Sequence, residues 1–297
     1  MTTIIDGNEV ASEVRGELEG AIGTLADRGV TPGLATVLVG DDPASETYVN
    51  MKQRDCEEVG IEGIHVDLPG DASSEELYDT IEELNADPEV HGYLVQDPVP
   101  NQIDYREVIR RIDPAKDVDG FHPENVGRLV AGDARFKPCT PHGIQKLFEA
   151  YDVETEGADV TVVGRSDIVG KPMANLLLQK AEGGNATVTV CHSRTEDLAA
   201  KTRNADVVIV ASGVTELVDG SMLSEGATVI DVGISRVDAD NEKGYELVGD
   251  VEFESAKEVA GAITPVPGGV GPMTRAMLLY NTVKAASEAE DVPVELP

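Results

Sequence analysis

The sequence predicts an α/β protein of two domains, and three features support this prediction. Apolar strands alternate with amphipathic helices in residues 33–100, the same alternation restarts at residue 158, and a proline-rich stretch separates the two regions. Strand–helix–strand order favours a mostly parallel sheet covered on both faces. A chain of 297 residues is long enough for two such domains, each with its own core.

The first region begins with the buried strand GLATVLVG, and the helix PASETYVNMKQRDCEEVG follows it. Pro43 marks the start of this helix and Gly60 its end, as is common for these residue types. The next predicted elements are a strand at 61–69, a helix at 73–85 with Ser73 as its N-cap, and a strand at 90–100 that its prolines interrupt. Ligands of such sheets bind beyond the carboxyl ends of the strands.

The stretch FKPCTPHG (136–143) is predicted to be the hinge between the domains. Strands are expected beyond it at 158–164, 186–192, 205–213 and 227–235, with helical segments between them. We therefore predict a first domain at 1–140, completed by the C-terminal helix 273–297, and a second, doubly wound domain at 141–272.

The composition restricts the partners and the compartment. A net charge of −33 repels nucleic acid and anionic membranes, and the acidic residues are spread along the whole chain. A salt-rich cytosol would screen this self-repulsion, although a merely solvated acidic surface would have the same composition. The three cysteines lack disulfide or metal spacing, no apolar run spans a membrane, and MTTIIDGNEV is unlike a signal peptide, so we expect a cytoplasmic protein.

The turn VVGRSDIVGKP follows a strand and opens a helix, which is the context of a dinucleotide-binding turn. Its Gly164, Ser166 and Gly170 form G-x-S-x-x-x-G instead of the standard G-x-G-x-x-G, so a purely structural turn remains an alternative. From this context we expect the second domain to have a Rossmann-like fold.

The next strand distinguishes between the two nicotinamide cofactors. NAD sites usually place a carboxylate at its end to hold the ribose 2′-hydroxyl, but here the strand ends His-Ser-Arg-Thr. Arg165, Ser193 and Arg194 could instead hold a 2′-phosphate, because guanidinium groups match phosphate geometry. The sequence therefore favours NADP over NAD, although Arg194 as a solvated loop cation is the alternative.

Two further loops carry polar or rigid residues. KDVDGFH holds Asp117 and Asp119, which common turn chemistry also explains, and without a histidine cluster nearby no metal site is predicted. PVPGGVGP (265–272) is rich in glycine and proline, which favours a rigid loop that approaches a ligand over a flexible linker.

Tyr48 and Lys52 are four residues apart and share one face of their predicted helix. A Tyr-x-x-x-Lys pair is also the catalytic signature of short-chain dehydrogenases. In that class, however, the nucleotide-binding turn precedes the pair, whereas here Gly164 follows it. This order argues against that class.

Seven stretches together carry a resemblance to a known family over nearly the whole chain: DDPASETYVNMK, GYLVQDPVP, KDVDGFHPENVGRL, PCTPHG, VVGRSDIVGKP, VIDVGIS and TPVPGGVGPMT. The sequence resembles the bifunctional methylenetetrahydrofolate dehydrogenase/methenyltetrahydrofolate cyclohydrolase family. The resemblance implies oxidation of 5,10-methylene-tetrahydrofolate with NADP⁺, hydrolysis to 10-formyl-tetrahydrofolate, a cleft between the two domains, and a homodimer. A monofunctional dehydrogenase and a catalytically silent folate- or nucleotide-binding protein are the alternatives.

The resemblance also implies roles for individual residues. Tyr48 and Lys52 would line the folate pocket with Gln96 on the lysine, Lys52 would transfer the proton, and Asp119 would anchor the pterin ring. The remaining residues that it implies are Pro265, Gly268 and Gly269 in a loop that closes over the cleft, and Gly164, Arg165, Ser166, Ser193 and Ile234 at the nucleotide.

One position departs from the family pattern. The family has an apolar residue after this glutamine, whereas the sequence has Asp97. A carboxylate beside Lys52 would stabilise its charged form and raise its pKa, unless Asp97 points away from the pocket.

Overall fold

The computed structural model describes residues 2–241 and 244–297 and divides the chain into two compact units. The first unit consists of Ser12–Cys139 and Arg275–Pro297, and the second consists of Met1–Ala11 and Thr140–Thr274. The predicted boundaries place residues 1–11 in the first domain, but here they lie with the second unit. The reason is a strand pairing near the N-terminus, in which Thr3 pairs with Ala262.

The strands of the described residues are β1 Thr3–Ile4, β2 Gly33–Val39, β3 Glu62–Leu68, β4 Gly92–Val95, β5 Asp159–Val163, β6 Thr187–Cys191, β7 Val207–Val210, β8 Thr228–Asp231, β9 Ser235–Asp238, β10 Tyr245–Val248 and β11 Ala262–Ile263.

The α-helices of the described residues are α1 Gly7–Ala26, α2 Pro43–Val59, α3 Ser74–Ala86, α4 Tyr105–Arg111, α5 Pro123–Ala131, α6 Cys139–Ala150, α7 Gly170–Leu178, α8 Leu198–Thr202, α9 Phe253–Val259 and α10 Val270–Ala289. Within the described ranges, none of them combines the length and apolar character that crossing a bilayer requires.

The first unit is built on a parallel sheet with β2 at its centre. Among the described residues the strand order is β3-β2-β4, and both pairings are parallel. Every residue of β2 is buried, because it has a neighbour on each side. Its core includes Val37, Leu77, Ile81 and Val108, which are fully buried. The carboxyl ends of β2 and β4 therefore lie side by side at one edge of the sheet.

Local sequence signals account for the ends of two helices in this unit. The Asp42 carboxylate accepts a hydrogen bond from the Ser45 backbone N–H at 2.8 Å and caps α2, and Gly60 ends it with a φ of 85°. Ser73 and Glu76 form a reciprocal capping box at the start of α3. These helices agree with the boundaries that the sequence predicts.

The second unit holds a larger parallel sheet. Within the described residues its strand order is β1-β11-β8-β7-β5-β6, with every pairing parallel. Buried valines and isoleucines of the inner strands form its core, among them Val208, Val210, Val229 and Ile263. The prediction of a two-domain α/β fold with a parallel sheet in the nucleotide-binding part is thus confirmed.

Two regions differ from the prediction. Residues 139–143 of the predicted hinge already belong to α6, because a proline in the first helical turn removes only an N–H that has no helical partner. The segment 264–274 is likewise partly helical, since α10 begins at Val270. In addition, the antiparallel pair β9–β10 was not predicted, because its short strands SRVD and YELV contain charged residues and lack the continuous apolar run of the buried strands.

Candidate active site

The first candidate site lies on α2, where Tyr48 and Lys52 occupy successive turns. Their spacing of four residues places them on the same face of this helix. The Tyr48 side chain is 42% exposed, whereas Lys52 is half-buried. The aromatic ring is therefore available to a ligand, and the amine lies deeper in the unit.

Gln96 connects this helix to the end of the sheet. It follows β4 directly, and its backbone N–H donates to the carbonyl of Val37 at 2.8 Å, which extends the ladder with β2. Lys52 Nζ donates to Gln96 Oε1 at 2.9 Å, and Gln96 Nε2 donates to the backbone carbonyl of Asp97 at 2.7 Å. The carboxamide is held at both ends, so it fixes the position of the amine.

Burial and a nearby carboxylate act in opposite directions on Lys52. Burial lowers its pKa, and the charge of Asp119 opposes this shift by a smaller amount. Burial also raises the pKa of the Asp119 carboxyl, against the opposing effect of Lys52. Both shifts favour the uncharged forms. A larger fraction of the Lys52 amine is therefore neutral, and able to accept a proton, than would be the case for an exposed lysine.

The sequence leaves open whether Asp97 acts on Lys52. Its side chain is exposed, its pKa is raised by partial burial alone, and its charge is not among the influences on the pKa of Lys52. The carboxylate that acts on Lys52 belongs to Asp119. Of the two possibilities that the sequence leaves open, these shifts favour the one in which Asp97 does not raise the pKa of the lysine.

The loop that carries Asp119 is organised by Asp117. This buried carboxylate accepts hydrogen bonds from the backbone N–H groups of Phe121 and His122 at 3.2 and 2.7 Å, and from Asn125 Nδ2 at 2.8 Å. Burial raises the pKa of Asp117 to about 7, although these donors oppose the shift. The sequence presents Asp117 only as a turn former, yet in the structure it fixes the start of α5.

Two residues that sequence reasoning missed support the same loop from the other side. Asn281 Nδ2, on α10, donates to the carbonyls of Val118 and Lys137 at 2.7 and 2.9 Å. The Cys139 thiol lies 3.5 Å from Asp119 Oδ1, and its pKa is raised well above the ordinary value by burial. Cys139 stands in the stretch PCTPHG, which indicated only a hinge, and Asn281 stands in none of the quoted motifs, so the sequence alone offered no signal for these two contacts.

The turn after β5 forms the core of the second candidate site. Gly164 has a φ of +138°, and a Cβ there would lie 2.1 Å from the carbonyl oxygen of Ala211. A Cβ on Gly170 would lie 2.3 Å from the Gly164 carbonyl oxygen. Ser166 Oγ accepts from the backbone N–H groups of Val169 and Gly170 at 3.1 and 3.3 Å, so it orders the start of α7. Both glycines are required by close backbone packing.

The residues predicted to hold a 2′-phosphate follow two neighbouring strands. Val163 at the end of β5 pairs in parallel with Cys191 at the end of β6, so the turns that carry Arg165 and Arg194 leave the sheet at the same edge. Arg165, Ser193 and Arg194 are exposed, and within the described part of the chain neither arginine forms an ion pair. Two free guanidinium groups and a hydroxyl fit a phosphorylated nucleotide.

The other predicted residues of this unit lie in two loops. Ile234 follows β8 and is 50% exposed, and it is thus an apolar side chain available to a ligand. Gly268 accepts from the N–H of Gly7 at 2.9 Å, and a Cβ on Gly7 would lie 1.7 Å from the Gly269 carbonyl oxygen. The loop from Pro265 to Gly269 therefore packs tightly on the start of α1.

The described residues offer no preformed set of metal ligands. Among residues 2–241 and 244–297, no group of three or more His, Cys, Asp or Glu side chains is placed to hold a metal ion. The three cysteines are free and buried.

Comparison with known proteins identifies the family. The profile described as "Tetrahydrofolate dehydrogenase/cyclohydrolase, catalytic domain" matches residues 5–119. The profile of the same family's NAD(P)-binding domain matches residues 138–290. The chain belongs to the tetrahydrofolate dehydrogenase/cyclohydrolase family. The resemblance read from the sequence motifs is thereby confirmed.

Known proteins of the family align with this chain over all or nearly all of its length. Bifunctional protein FolD of Natronomonas pharaonis is 76% identical over 297 residues and covers 100% of both chains. The crystal structure of the bifunctional FolD enzyme from Campylobacter jejuni has a TM-score of 0.92 at 47% identity, covering 97% of this chain and 99% of its own. The Trypanosoma brucei enzyme, "complexed with NADP cofactor and inhibitor", has a TM-score of 0.92 at 39% identity, covering 97% and 98%.

The sources of the most similar sequences agree with the acidic composition. The Natronomonas pharaonis protein and one from Halobacterium salinarum that is 66% identical come from halophilic archaea. This agreement confirms the salt-adapted origin that the net charge of −33 suggests.

Proposed function

We infer that the protein is a bifunctional enzyme of one-carbon metabolism. It oxidises 5,10-methylene-tetrahydrofolate to 5,10-methenyl-tetrahydrofolate with NADP⁺, and it hydrolyses the product to 10-formyl-tetrahydrofolate. Family membership over the full chain supports this function. The structural observation that supports the hydrolytic step best is the Lys52–Gln96 hydrogen bond of 2.9 Å, next to the Asp119 carboxylate.

The oxidation requires the enzyme mainly to align two reactants. NADP⁺, when bound, supplies the acceptor for the hydride that leaves the methylene carbon, and the two flanking nitrogens of the folate stabilise the resulting cation. Gly164 would let the backbone approach the nucleotide, Arg165, Ser193 and Arg194 would hold its 2′-phosphate, and Ile234 would offer an apolar surface to the nicotinamide. The exposed Tyr48 ring stacks on the folate.

The hydrolysis requires a proton acceptor. A water molecule attacks the methenyl carbon of the cationic folate, and the neutral amine of Lys52 takes a proton from it as the carbon–oxygen bond forms. The ring then opens by cleavage of one carbon–nitrogen bond, the released nitrogen gains a proton, and one proton in total is lost to solvent. Burial prepares Lys52 for this role because it lowers the pKa of the amine, and Gln96 orients it.

Asp119 anchors the pterin ring by hydrogen bonds. Its loop is held by Asp117 and by Asn281, so the carboxylate is fixed before the substrate binds. A fixed ligand group loses little entropy on binding, and the electrostatic effect of Asp119 on Lys52 stays constant.

Two assays test this function. Purified protein is incubated with methylene-tetrahydrofolate and either NADP⁺ or NAD⁺, and reduced cofactor is measured. Hydrolysis of added methenyl-tetrahydrofolate is then followed without any nucleotide. We expect both activities and a preference for NADP⁺. Oxidation without hydrolysis would indicate a monofunctional dehydrogenase, and absence of both would indicate a silent binding protein.

The protein is further proposed to form a homodimer. Among residues 2–241 and 244–297, β6 is the last strand in the sheet order of the second unit and pairs with a strand on one side only. Val190 on β6 and Leu178 at the end of α7 are 39% and 59% exposed. Light scattering in concentrated salt should give twice the mass of the chain, and Val190→Lys should reduce it to the monomer mass. A monomeric wild-type protein would contradict the proposal.

A further inference from the structure

Two buried carboxylates lie at the ligand edge of the large sheet and have no role in the mechanism above. Asp231 is the last residue of β8 and Asp250 follows β10 after one glycine. Their side chains are 4% and 0% exposed, among the most buried charged groups of the second unit. Burying a charge is costly unless hydrogen bonds compensate for it. The hydrogen bonds that each carboxylate accepts therefore show which loops it holds in place.

Asp250 holds the loop that follows β7. Its Oδ2 atom accepts hydrogen bonds from the backbone N–H groups of Ser212 and Gly213 at 2.6 and 2.7 Å, and from Ser212 Oγ at 2.9 Å. Ser212 Oγ in turn accepts from the N–H of Val214 at 3.1 Å. A single oxygen atom therefore fixes the conformation of residues 212–214.

Asp231 holds the turn that follows β8 and the segment that carries Asp250. Its Oδ1 atom accepts from the N–H groups of Gly233 and Asp250 at 2.9 and 3.0 Å, and its Oδ2 atom accepts from the N–H of Val251 at 3.0 Å. Burial raises the pKa of Asp231 to about 6, and these three donors oppose the shift. The two carboxylates act in series, since Asp231 positions the backbone of Asp250.

Glycines at two positions allow this arrangement. A Cβ on Gly233 would lie 2.3 Å from Asp250 Oδ1, and a Cβ on Gly249 would lie 1.8 Å from Asp231 Oδ2. Within the described residues, Asp250 Oδ1 has no hydrogen-bond partner, so it is confined by packing against Gly233. Any side chain at either glycine would displace a carboxylate and release the loop that it holds.

The loops so fixed border the proposed nucleotide site. The carbonyl oxygen of Ala211 packs against Gly164 in the turn after β5, and Ile234 follows Gly233 directly. Val214 and Ile234 are 53% and 50% exposed, so each loop presents one apolar side chain at the carboxyl edge of the sheet. The N–H groups of Ser212, Gly213 and Gly233 already donate to carboxylates, so these three groups serve to fix the loops rather than to bind a ligand.

We propose that Asp231 and Asp250 are positioning residues for NADP⁺, because together they hold the loops after β7 and β8 in the conformation that receives the cofactor. This inference rests on the proposed function. It assigns no contact between either carboxylate and the cofactor. Loss of the pair therefore weakens cofactor binding through the displacement of Val214 and Ile234, while the folate chemistry of the other unit continues.

The bifunctional enzyme supplies its own control for this proposal. Asp250→Ala and Asp250→Asn are compared with the wild type in three measurements: the KM for NADP⁺ in the dehydrogenase assay, the Kd of NADPH from its fluorescence, and the kcat for methenyl-tetrahydrofolate hydrolysis. For Asp250→Ala we expect KM and Kd to rise about tenfold or more, with hydrolysis unchanged within about twofold. Asp250→Asn keeps an acceptor oxygen and should recover part of the affinity.

Thr161→Val is the matched control, because Thr161 is a buried polar residue of the same sheet whose hydroxyl donates to the carbonyl of Lys201 at 3.2 Å, away from Asp231 and Asp250 in the hydrogen-bond network. It should leave the Kd of NADPH unchanged. An unchanged Kd in Asp250→Ala, or an equal loss of hydrolysis, would overturn the proposal. If Asp250→Ala does not fold, Ser212→Ala provides the test instead. We expect its Kd for NADPH to rise about two- to fivefold, and an unchanged Kd would contradict the proposal. A wild type that does not bind NADPH would instead refute the proposed function.

Discussion

Lys52 shows how two opposing influences set the chemistry of one side chain. Burial lowers its pKa, and the carboxylate of Asp119 limits how far the pKa falls. The amine must be neutral to accept a proton from water. The cationic folate will favour this neutral form, because its charge lowers the pKa of Lys52 further when it binds. Gln96 donates nothing to Nζ and accepts from it, so the nitrogen lone pair remains free for the proton.

Replacement of this lysine should separate the two activities. We expect Lys52→Met to lose methenyl-tetrahydrofolate hydrolysis by about 10²–10⁴-fold, which is the usual contribution of general acid–base catalysis. Part of the dehydrogenase activity should survive, because hydride transfer needs no proton acceptor. The measurement is kcat for each reaction.

Lys284→Met is the control, since Lys284 is also half-buried with a pKa that burial lowers, and its Nζ bonds to the carbonyl of Arg135. Full hydrolysis in Lys52→Met would remove this residue from the mechanism.

The pH dependence of hydrolysis provides a second test. The neutral amine is the base, so kcat should rise with pH through the pKa of Lys52, at a value below the ordinary 10.5. Asp119→Asn removes a charge that raises this pKa, so the rise should move to lower pH. Asp97→Leu should leave it in place, because Asp97 does not influence the pKa of the lysine. A shift in Asp97→Leu but not in Asp119→Asn would reverse our assignment of the carboxylate.

Arg194 should determine which nicotinamide cofactor is used. Arg194→Ser removes a charge-assisted contact worth about 1.5–3 kcal/mol, so we expect the KM for NADP⁺ to rise by roughly 10–100-fold. The KM for NAD⁺, which lacks the 2′-phosphate, should change little. Lys180→Ser removes an exposed cation of the same unit and serves as the control. Equal effects on both cofactors would show that Arg194 does not read the 2′-phosphate.

The sequence predicts site residues where motifs mark them and misses those that only the fold brings close. Tyr48, Lys52 and Gln96 belong to recognisable stretches, and the structure places the lysine and the glutamine in contact. Asn281 reaches the Asp119 loop from α10, and no local pattern reports such a distant contact. The sequence could not show whether Asp97 acts on Lys52, because neighbourhood in sequence does not give the direction of a side chain.

At the scale of elements, helix ends with explicit caps were predictable and others were not. α2 and α3 have their capping residues in the sequence, and their bounds agree with the prediction. α6 begins inside a proline-rich stretch that has the composition of a linker. β1 has only two residues, so its identity as a strand depends entirely on β11, which is far along the chain.

The turn between β5 and α7 should tolerate no side chain at Gly164. In Gly164→Ala the new Cβ would lie 2.1 Å from the Ala211 carbonyl oxygen, and the φ of +138° is itself unfavourable for alanine. We expect NADPH binding and dehydrogenase activity to be lost while hydrolysis persists, because the turn belongs to the second unit alone. Fluorescence titration and both assays measure this.

Gly16→Ala is the matched control, since a Cβ at Gly16 meets no atom within 4 Å. Gly16 lies inside α1, where alanine is the better helix former, so the variant protein should be as stable as the wild type or more stable. Normal NADPH binding in Gly164→Ala would contradict the assignment of this turn.

At the scale of the whole molecule, the acidic charge opposes folding when salt is dilute. α2 and α3 have no basic residue in their last turns, and α2 ends with Glu57 and Glu58, where the helix dipole favours cations. With a net charge of −33, such unfavourable terms add up over the surface. Salt at 1 M shortens the screening length to about 3 Å and removes most of this repulsion.

Thermal unfolding should therefore depend strongly on salt. Between 0.1 and 3 M KCl we expect the Tm to rise on the order of 10 °C, equivalent to a few kcal/mol at about 2–4 °C per kcal/mol. Circular dichroism follows the transition, and sucrose serves as the uncharged control, since it stabilises without screening. Equal stability at low and high salt would refute the screening explanation.

The pairing of β1 with β11 determines the order in which the chain can be completed during synthesis. Thr3 is made well before its partner Ala262, and synthesis of the residues between them takes tens of seconds at about 5–20 residues per second. Residues Arg275–Pro297, which complete the first unit, are made later still. Each unit therefore lacks one of its segments during most of the synthesis of these residues, so we expect neither to reach its final structure before its late segment has been made.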